Sequence, residues 1–571
     1  MATTATRPPT DAVIDEDLRL LEAAFEALST TSPLTLLKPE GNAGPPELFG
    51  QLLRAQSTVS SHLIKLGFEQ LRIALGTDDV VLDKRDRRFA DEWYRTNPFF
   101  SRLARSHVAT ERRLQGIIDD LDLDPHTRNR ARYLTTLMTS ALAPSNHLLG
   151  NPSALKRAWS TRGRSLADGM RNLLEDLQDN DGLPSSVDRS AFERGSDLCA
   201  TPGAVVHRTE RFELLQYTPT TTTVRQRPVV VVPPQINKYY VLDLAPGRSL
   251  AEHLVANGHQ VFMISWRNPG IEDRHWDLDD YIDSTIDAIG ASLDISGADD
   301  VNLLGVCAGG ITAGIAAAYL AATSETVVNS LSLLVTILDW DEPSMLGSLL
   351  TPQMIDLLQI RSDLLGTVPG SELTKAFAFL RPNDLVWNYW VNNYLHGEQP
   401  AAFDVLAWNA DATNLPGGLQ RDFLSIISDN ALTEPGGLLV KGVPIDLGQV
   451  EADNYLIGAV TDHITPWRAC HRTTSILGGD STFVLSSQGH IQAMVNPPGN
   501  PKASYQVNLD APDGVDADTW LAGASTTAGS WWDHWMAWLD ERAGDEVDAP
   551  TELGGDAHPT RGAAPGTYVL G

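Results

Sequence analysis

Residues 301–310 have the sequence Val-Asn-Leu-Leu-Gly-Val-Cys-Ala-Gly-Gly, and they carry the strongest indication of how this 571-residue chain folds. The apolar start predicts a buried strand, and the small residues over Ile311–Ala322 predict a helix directly after it. A strand that turns sharply into a helix leaves room only for small residues two places before and after the turn residue, here Gly305 and Gly309. The pattern therefore predicts a strained turn that presents the Cys307 thiol, although a buried structural cysteine is the alternative for this motif alone.

Short apolar segments that predict strands alternate with helical patterns on both sides of this turn. Such alternation is typical of a mainly parallel sheet with helices on both faces, so the predicted fold class is α/β. Between about 340 and 440 no sheet strand is predicted, and helical spacing with many aromatic residues indicates a cap inserted over the active site. The predicted strands are Val205–Tyr217, Pro228–Val232, Gln260–Ser265, Val301–Val306, Leu331–Ile337, Asn454–Val460 and Thr482–Leu485.

Two further polar residues follow the late strands in the order that a nucleophile at the turn would need. Asp462 comes directly after the strand Asn454–Val460, and His490 follows the last predicted strand in a Gly-His turn. Nucleophile, acid and base in this chain order are typical of the α/β-hydrolase fold, so Cys307, Asp462 and His490 are the predicted catalytic triad. His463, next to the acid, is predicted to support the triad residues from beside them rather than to act as the base.

An oxyanion formed by attack on a carbonyl group needs hydrogen-bond donors beside the nucleophile. The backbone N–H of Ala308 is the expected first donor, because it follows the nucleophile at the start of the helix. The second donor is expected from Ile236 or Asn237, in the turn after the strand that ends at Val232. A cysteine paired with histidine attacks thioesters well, and exchange of one thioester for another is nearly balanced in energy. The residues thus favour transfer of an acyl group over its rapid loss to water.

Composition argues against several other classes of function. The formal net charge of −30 opposes binding to nucleic acid and to anionic membranes. Only three cysteines occur, far apart and without zinc-type spacing, so we expect neither a metal site nor a disulfide framework, and a reducing cytosol fits. No segment is apolar over the length that a membrane span or a secretory signal needs, so we expect an intracellular protein without a transmembrane span.

The length of the chain predicts two or more domains. Residues 1–80 are expected to form a variable, partly disordered extension with a short helix over Leu18–Leu28, and residues 81–180 a helical N-terminal domain. A polar linker at 181–200 precedes the catalytic domain at 201–543, and residues 544–571 form a Gly- and Pro-rich tail that we expect to be flexible. On the last predicted helix, four tryptophans are expected to belong to the core: Trp531, Trp532, Trp535 and Trp538.

Several longer segments, in the same order along the chain, resemble the polyhydroxyalkanoate synthases, the polymerases of 3-hydroxyacyl-CoA. The similarity runs from about Phe89 to Leu539 and includes the cysteine turn with its double glycine, Asp462–Trp467 and Gly489–Ile491. The other segments that carry it are Phe89–Trp93 with Asn97-Pro98, Ala143–Asn146 with Asn151-Pro152, Gly163–Leu166, Pro233–Leu244 and Ser265–Pro269.

The resemblance implies that Cys307 carries the growing polyester as a thioester, that His490 deprotonates the thiol, and that CoA leaves without help from a metal or redox cofactor. It assigns Asp462 either to orient His490 or to activate the incoming 3-hydroxyl, and both roles stay open at this point. The chain has its own N-terminal domain, which is similar to the synthases that need no second type of subunit. The implied partners are therefore 3-hydroxyacyl-CoA, the growing polyester with its cytoplasmic granule surface, and a second copy in a homodimer. Monomer length stays open, with short-chain monomers as the default.

Two other functions compete with polymer synthesis. A thioesterase or polyester depolymerase would use the same scaffold, but such hydrolases mostly carry serine at the turn where this chain carries Cys307. A non-catalytic granule or scaffold protein could keep the fold, yet nucleophile, acid and base are all present in register. Release of free 3-hydroxy acid without insoluble polymer would favour the hydrolase.

Overall fold

The computed structural model describes residues 45–180 and 182–571, with side chains from residue 54 onward. The helix that the sequence predicts over Leu18–Leu28 lies outside the described residues. Backbone contacts divide the chain into two units, residues 1–139 and residues 140–571. Within the described ranges, no helix combines the length and the apolar character needed to cross a membrane.

The described part of the first unit consists of helices. The long helix Pro45–Leu75 lies against Pro98–Asp120, and the buried Glu69 joins them by accepting a hydrogen bond from Arg113 Nε at 2.9 Å. A buried carboxylate is tolerated only when it is paired, so this contact contributes to how the two helices pack. The other α-helices are Trp93–Thr96 and Pro125–Ala141, the last of which ends just past this unit.

The second unit is built on a ten-stranded sheet in its described residues. In chain order the strands are β1 (Gly203–Arg208), β2 (Phe212–Tyr217), β3 (Val229–Val232), β4 (Val261–Trp266), β5 (Val301–Val306), β6 (Val328–Leu334), β7 (Asp453–Ala459), β8 (Ser481–Ser486), β9 (Ser504–Val507) and β10 (Ser525–Ala528). Their spatial order is β1-β2-β4-β3-β5-β6-β7-β8-β9-β10. The strands from β4 to β8 in this order run parallel, and the strands at both edges are antiparallel. The predicted α/β fold class is confirmed.

Helices cover both faces of the sheet. Successive strand residues point to opposite faces, so a strand that is apolar throughout needs cover on both. In β3, Val230 and Val232 belong to one buried cluster and Val229 and Val231 to the other, so the strand is apolar throughout, as parallel strands buried on both faces are. The first face is covered by Leu278–Ser296 and Ala308–Ala322, and the second by Leu250–Ala256 and Trp531–Asp540. Shorter helices are Trp467–Arg472, His490–Met494 and Ala517–Gly523. The prediction that four tryptophans of the last long helix are core residues is confirmed: Trp531, Trp532, Trp535 and Trp538 are all buried in the second cluster.

The predicted inner strands agree with the observed bounds to within one residue, except that the strand predicted over Leu331–Ile337 is observed at Val328–Leu334. The other differences lie at the edges of the sheet. The sequence predicts one strand over Val205–Tyr217, but the structure has the antiparallel pair β1 and β2 in its place. In the turn between them the Thr209 hydroxyl accepts hydrogen bonds from the N–H groups of Arg211 and Phe212, a local bond that competes with continuation of the strand. Strands β9 and β10 contain no apolar run, and the sequence does not predict them.

Residues 340–440, here called the cap region, add no strand to the main sheet. The α-helices of the cap region are Met345–Leu349, Pro352–Leu365, Gly370–Leu380, Asp404–Asn409 and Gly417–Asp429. Two π-helical turns lie at Asn383–Trp387 and Trp390–Leu395. Two small antiparallel pairs accompany them, Thr367–Val368 with Leu415–Pro416 and Leu438–Val440 with Val443–Ile445.

The division between the two units differs from the predicted domain boundaries. The helices Pro152–Ser160 and Arg164–Asp179, which the sequence assigns to a helical domain at 81–180, belong to the second unit. The second of them contacts the cap region, where Tyr394 Oη donates a hydrogen bond to Asp176 at 2.7 Å. A Cβ on Gly169 would lie 1.9 Å from the Tyr394 carbonyl oxygen, so this approach requires glycine. Polar and backbone contacts of this kind leave no hydrophobic pattern in the sequence.

Residues 544–571 lie against the sheet, whereas their composition predicts a flexible tail. Glu546–Asp548 pairs antiparallel with Thr223–Arg225, and Ala563 forms an antiparallel bridge with Ala204 of β1. Val569 is fully buried. Backbone pairing satisfies N–H and C=O groups whatever the side chains are, so a segment rich in Gly and Pro can still be docked. These residues are called the C-terminal segment below.

Candidate active site

Cys307 occupies the sharp turn between β5 and the helix Ala308–Ala322. Its φ of 52° lies in the left-handed region that residues other than glycine rarely adopt, so the backbone of this turn is strained. The N–H of Cys307 donates to the carbonyl of Leu334 at 2.9 Å, which ties the turn to the neighbouring strand β6. The cysteine is only partly buried, and it lies at the carboxyl end of a central parallel strand. The structure therefore presents the Cys307 thiol at the carboxyl ends of the strands, where ligands of α/β sheets bind.

Two glycines allow the turn because the backbone passes close to its neighbours there. A Cβ on Gly309 would lie 2.4 Å from the carbonyl oxygens of Val232 and Pro233, at the end of β3. A Cβ on Gly305 would lie 2.6 Å from the Cα of Gly310 in the following helix. Both distances are far inside normal contact, so the small residues expected at these two positions are required by the fold.

Asp462 and His490 form a buried pair near the carboxyl ends of the parallel strands, as Cys307 does. Asp462 lies just after β7, and His490 begins the short helix after β8. Asp462 Oδ2 and His490 Nδ1 are 2.6 Å apart, and the two side chains are 0% and 5% exposed respectively. The structure thus brings the predicted acid and base together, with the imidazole held through its Nδ1 so that its Nε2 is directed away from the carboxylate.

The pair determines the protonation of both side chains. Burial opposes ionisation of Asp462, but the charge of His490 and the hydrogen bonds from His490 and Thr465 outweigh burial and lower the pKa of the carboxyl. Burial by itself would lower the pKa of His490, yet the Asp462 carboxylate and the interaction with Cys307 outweigh it and raise the pKa of the imidazole. A raised pKa means that the imidazole holds a proton strongly, which favours transfer of the Cys307 thiol proton to His490.

Thr465 lies against both members of this pair, and it is a residue that the sequence does not single out. Its hydroxyl donates to Asp462 Oδ2 at 2.7 Å and lies 3.1 Å from His490 Nδ1. The N–H groups of Ile464 and Thr465 donate to Asp462 Oδ1 at 2.8 and 2.9 Å. The signal in the sequence is the Asp-x-x-Thr spacing, because a carboxylate often accepts from backbone N–H groups two and three residues later in a turn.

His463 lies beside the pair without replacing His490. Burial, together with the positive charge of Arg381, lowers the pKa of His463 to about 4, so this imidazole is neutral near pH 7. Its Nδ1 is buried and has no hydrogen-bond partner within the described residues. Of these two histidines, His490 is the one that makes a hydrogen bond to the Asp462 carboxylate. These contacts favour His490 as the base, and the supporting role of His463 stays a prediction.

The segments expected to supply the oxyanion donors lie next to each other. Ala308 is the first residue of its helix, where N–H groups have no acceptor within the helix. In the turn Pro234–Asn237, here called the oxyanion turn, Gln235 Nε2 donates to Thr312 Oγ1 of that same helix at 2.9 Å. Ile236 is partly buried against the adjacent core, and Asn237 pairs with Ala412 of the cap region. The helix is therefore joined to the oxyanion turn by a side-chain hydrogen bond, and to the residues just before that turn by the close approach at Gly309.

The other two cysteines differ from Cys307 in their surroundings. Burial raises the pKa of the Cys199 thiol to about 12 and that of the Cys470 thiol well above its ordinary value. Thiolates are the reactive form of cysteine, so both of these residues are inert near neutral pH. Cys307 is consequently the cysteine available to a reagent or a substrate.

Two protein families and several known proteins match parts of this chain. Residues 85–254 match the family described as the N-terminus of poly-beta-hydroxybutyrate polymerase (PhaC), and residues 228–497 match the alpha/beta hydrolase fold. Poly(3-hydroxyalkanoate) polymerase 1 of Ectopseudomonas oleovorans is 44% identical over 519 residues, which cover 91% of this chain and 92% of that protein. The poly(3-hydroxyalkanoate) polymerase subunit PhaC of Cupriavidus necator is 42% identical over 511 residues, covering 87% of this chain and 85% of that protein.

Proposed function

Because this chain belongs to the poly(3-hydroxyalkanoate) polymerase family, we propose that Cys307 is the nucleophile of its reaction, His490 the base and Asp462 the acid that orients the base. The chain is an acyltransferase that polymerises 3-hydroxyacyl-CoA into polyhydroxyalkanoate with release of CoA. The observation that carries the assignment of residues is the buried 2.6 Å contact between Asp462 and His490 at the sheet edge that also holds the Cys307 turn.

The first step loads the acyl group onto the enzyme. His490 takes the proton of the Cys307 thiol, and the sulfur attacks the carbonyl carbon of the CoA thioester. The electron pair that moves to the carbonyl oxygen is stabilised by the N–H of Ala308 and by an N–H of the oxyanion turn. When the carbon–sulfur bond to CoA breaks, His490 returns its proton to the departing thiolate, so the products are the acyl-enzyme and CoA. One thioester replaces another, which keeps the acyl group activated for the next transfer.

Chain growth requires a second transfer, in which the 3-hydroxyl oxygen of one acyl group attacks the carbonyl carbon of another that is held as a thioester. A carbon–oxygen bond forms, the carbon–sulfur bond breaks, and the hydroxyl proton passes through His490 to the departing thiolate. Each oxygen of Asp462 already accepts two hydrogen bonds, from Ile464 and Thr465 at Oδ1 and from Thr465 and His490 at Oδ2. This saturation supports Asp462 as the group that orients His490 rather than as the base for the hydroxyl.

The test uses 3-hydroxybutyryl-CoA with the parent chain, Cys307→Ala and Cys199→Ala, and it follows free CoA, insoluble polymer and free acid. We expect polymer to account for the CoA released by the parent, and Cys307→Ala to lose CoA release by about 10⁴-fold or more, as removal of a covalent nucleophile does. Cys199→Ala is the matched control and should keep the parent rate. CoA release that survives Cys307→Ala would overturn the nucleophile, and stoichiometric free acid without polymer would overturn the polymerase.

We also propose that the chain acts as a homodimer on the surface of polymer granules in the cytoplasm. Membership of the family supports this, as does the covalent link between Cys307 and an insoluble product, which would keep enzyme and polymer together. Light scattering during size-exclusion chromatography measures the oligomeric state, and centrifugation after polymerisation measures attachment. A monomer at every concentration, or a chain that stays in the supernatant while polymer sediments, would contradict the respective part of this proposal.

A further inference from the structure

The C-terminal segment reaches the residue that follows the oxyanion turn. Lys238, directly after Asn237, is 4% exposed, and its Nζ donates a hydrogen bond to the carbonyl oxygen of Gly571. A buried ammonium group is costly to leave without an oxygen partner, so this contact resists separation of the two segments. The carbonyl of Lys238 in turn accepts a hydrogen bond from Trp408 Nε1 at 2.8 Å. The chain next to the oxyanion turn is thus held from two sides.

A second set of contacts connects the same two segments a few residues away. Arg194 Nη1 donates to the carbonyl of Val569 at 2.9 Å and to Asp411 at 3.0 Å. The same Asp411 oxygen accepts the hydroxyl of Tyr240 at 2.7 Å, two residues after Lys238. Val569, Arg194, Asp411 and Tyr240 therefore form one hydrogen-bonded chain that ends beside the oxyanion turn.

The end of the C-terminal segment is itself firmly seated. Glu213 of β2 is 0% exposed, and its carboxylate accepts three hydrogen bonds from this segment. Two come from the N–H and the hydroxyl of Thr567, each at 2.8 Å, and one from the N–H of Tyr568 at 2.9 Å. Because Glu213 belongs to the central sheet, its hydrogen bonds fix residues 567–571 to the sheet. The same residues contact Lys238, so Lys238 is also held relative to the sheet.

We propose that residues 567–571 are a positioning element that, through Lys238 and Tyr240, holds the oxyanion turn at the distance from Ala308 that the acylation step requires. This inference rests on the proposed function, in which an N–H of that turn stabilises the oxyanion. No residue of the C-terminal segment needs to touch substrate for this role. Its contribution lies in the placement of a donor, and misplacement of a catalytic group by about 1 Å can cost roughly 10²-fold in rate.

Two reactions of Cys307 distinguish this role from general support of the fold. CoA release in a single turnover passes through an oxyanion, whereas alkylation of Cys307 by iodoacetamide is a displacement at a saturated carbon and forms none. A displaced oxyanion turn should slow the first reaction and leave the second unchanged. Damage to the Cys307 turn or to His490 should slow both.

The experiment compares a chain that ends at Tyr568 and the variant Lys238→Met with two matched controls. Leu570→Ala changes an exposed side chain of the same segment, and Lys502→Met removes an exposed lysine elsewhere. For the shortened chain and for Lys238→Met we expect single-turnover CoA release to fall roughly 10- to 100-fold, in line with partial loss of an oxyanion donor. Alkylation should stay within twofold of the parent, and both controls should match the parent in both reactions.

The proposal is overturned if CoA release by Lys238→Met stays within twofold of the parent, or if CoA release and alkylation fall together. Should the shortened chain fail to fold, as judged by its thermal melting, Lys238→Met alone decides between these outcomes. Failure of the underlying function would be recognised separately, because CoA release would then survive Cys307→Ala.

Discussion

The substitution Gly309→Ala tests the geometry of the Cys307 turn directly. The added Cβ would lie 2.4 Å from the carbonyl oxygens of Val232 and Pro233. Carbon–oxygen contacts between backbone segments are about 3.3 Å or longer, so the helix and the end of β3 must separate by roughly 0.9 Å. The helix carries the Ala308 N–H and the end of β3 leads into the oxyanion turn, so the separation pulls the two expected donors apart. A displacement of this size should lower the rate of CoA release by about 10²-fold.

The same substitution should also destabilise the protein. Overpacking at a site that cannot relax costs about 1–3 kcal/mol, which exceeds the gain of up to about 1 kcal/mol from placing Ala in a helix. Gly314→Ala is the matched control in the same helix, because its Cβ would meet only the side chain of Leu338, at 3.4 Å. We expect this control to keep the parent rate and to be as stable as the parent or slightly more so.

Both variants are examined by single-turnover CoA release and by urea unfolding at the same pH. If Gly309→Ala releases CoA at the parent rate and unfolds at the parent urea concentration, the close approach of the turn to β3 is wrong. A loss of activity shared equally by Gly314→Ala would show that the helix as a whole, rather than this contact, is sensitive to added volume.

Three further predictions concern the pair, its threonine and the C-terminal segment. Asp462→Asn should slow CoA release roughly 10³- to 10⁴-fold, because an amide cannot hold the imidazole of His490 in the required tautomer. The pair stabilises the fold above the ordinary pKa of Asp462, 3.8, and below that of His490, 6.5, since folding lowers the first and raises the second. The stability difference between parent and Asp462→Asn, measured by urea unfolding, should therefore be largest between these pH values and shrink outside them; a difference that grows above pH 7 would contradict the ion pair. Thr465→Val should slow CoA release about tenfold, which corresponds to the loss of one hydrogen bond of about 1.4 kcal/mol. Thr473→Val is the control and should keep the parent rate, because the buried Thr473 hydroxyl has no partner in the described structure. Val569→Ala should lower the free energy of unfolding by about 2 kcal/mol, and a loss below about 0.5 kcal/mol would show that the C-terminal segment is not docked.

Much of the fold follows from the sequence, because the parallel strands are buried on both faces and are therefore apolar throughout. Val229–Val232 and Val301–Val306 stand out for this reason, and each ends where a turn of the candidate site begins. Cys307, Asp462 and His490 could be found from the order in which they follow their strands, since that order belongs to the topology of the sheet.

The rest depends on polar and backbone contacts, which have no periodicity. Thr465 is one residue of a turn, and only the structure shows that its hydroxyl reaches the Asp462 carboxylate. The Gly- and Pro-rich composition of residues 544–571 indicates flexibility, yet Gly562 and Ala564 pair with β1 through backbone N–H and C=O groups. Glu213 of β2 accepts hydrogen bonds from the C-terminal segment. In the sequence, a single acidic residue in an apolar strand does not identify its partner.

The docking of the C-terminal segment also affects how the protein behaves at high concentration. A sheet that ends in an open strand offers a row of free N–H and C=O groups on which another chain can add, and crowded proteins aggregate by this route. Residues 561–564 occupy part of that row on β1, with Val205 as both donor and acceptor. At the opposite end of the sheet, all four residues of β10 (Ser-Thr-Thr-Ala) are exposed, but a strand this short offers few free N–H and C=O groups. Both ends of the sheet are thus protected against edge-to-edge association.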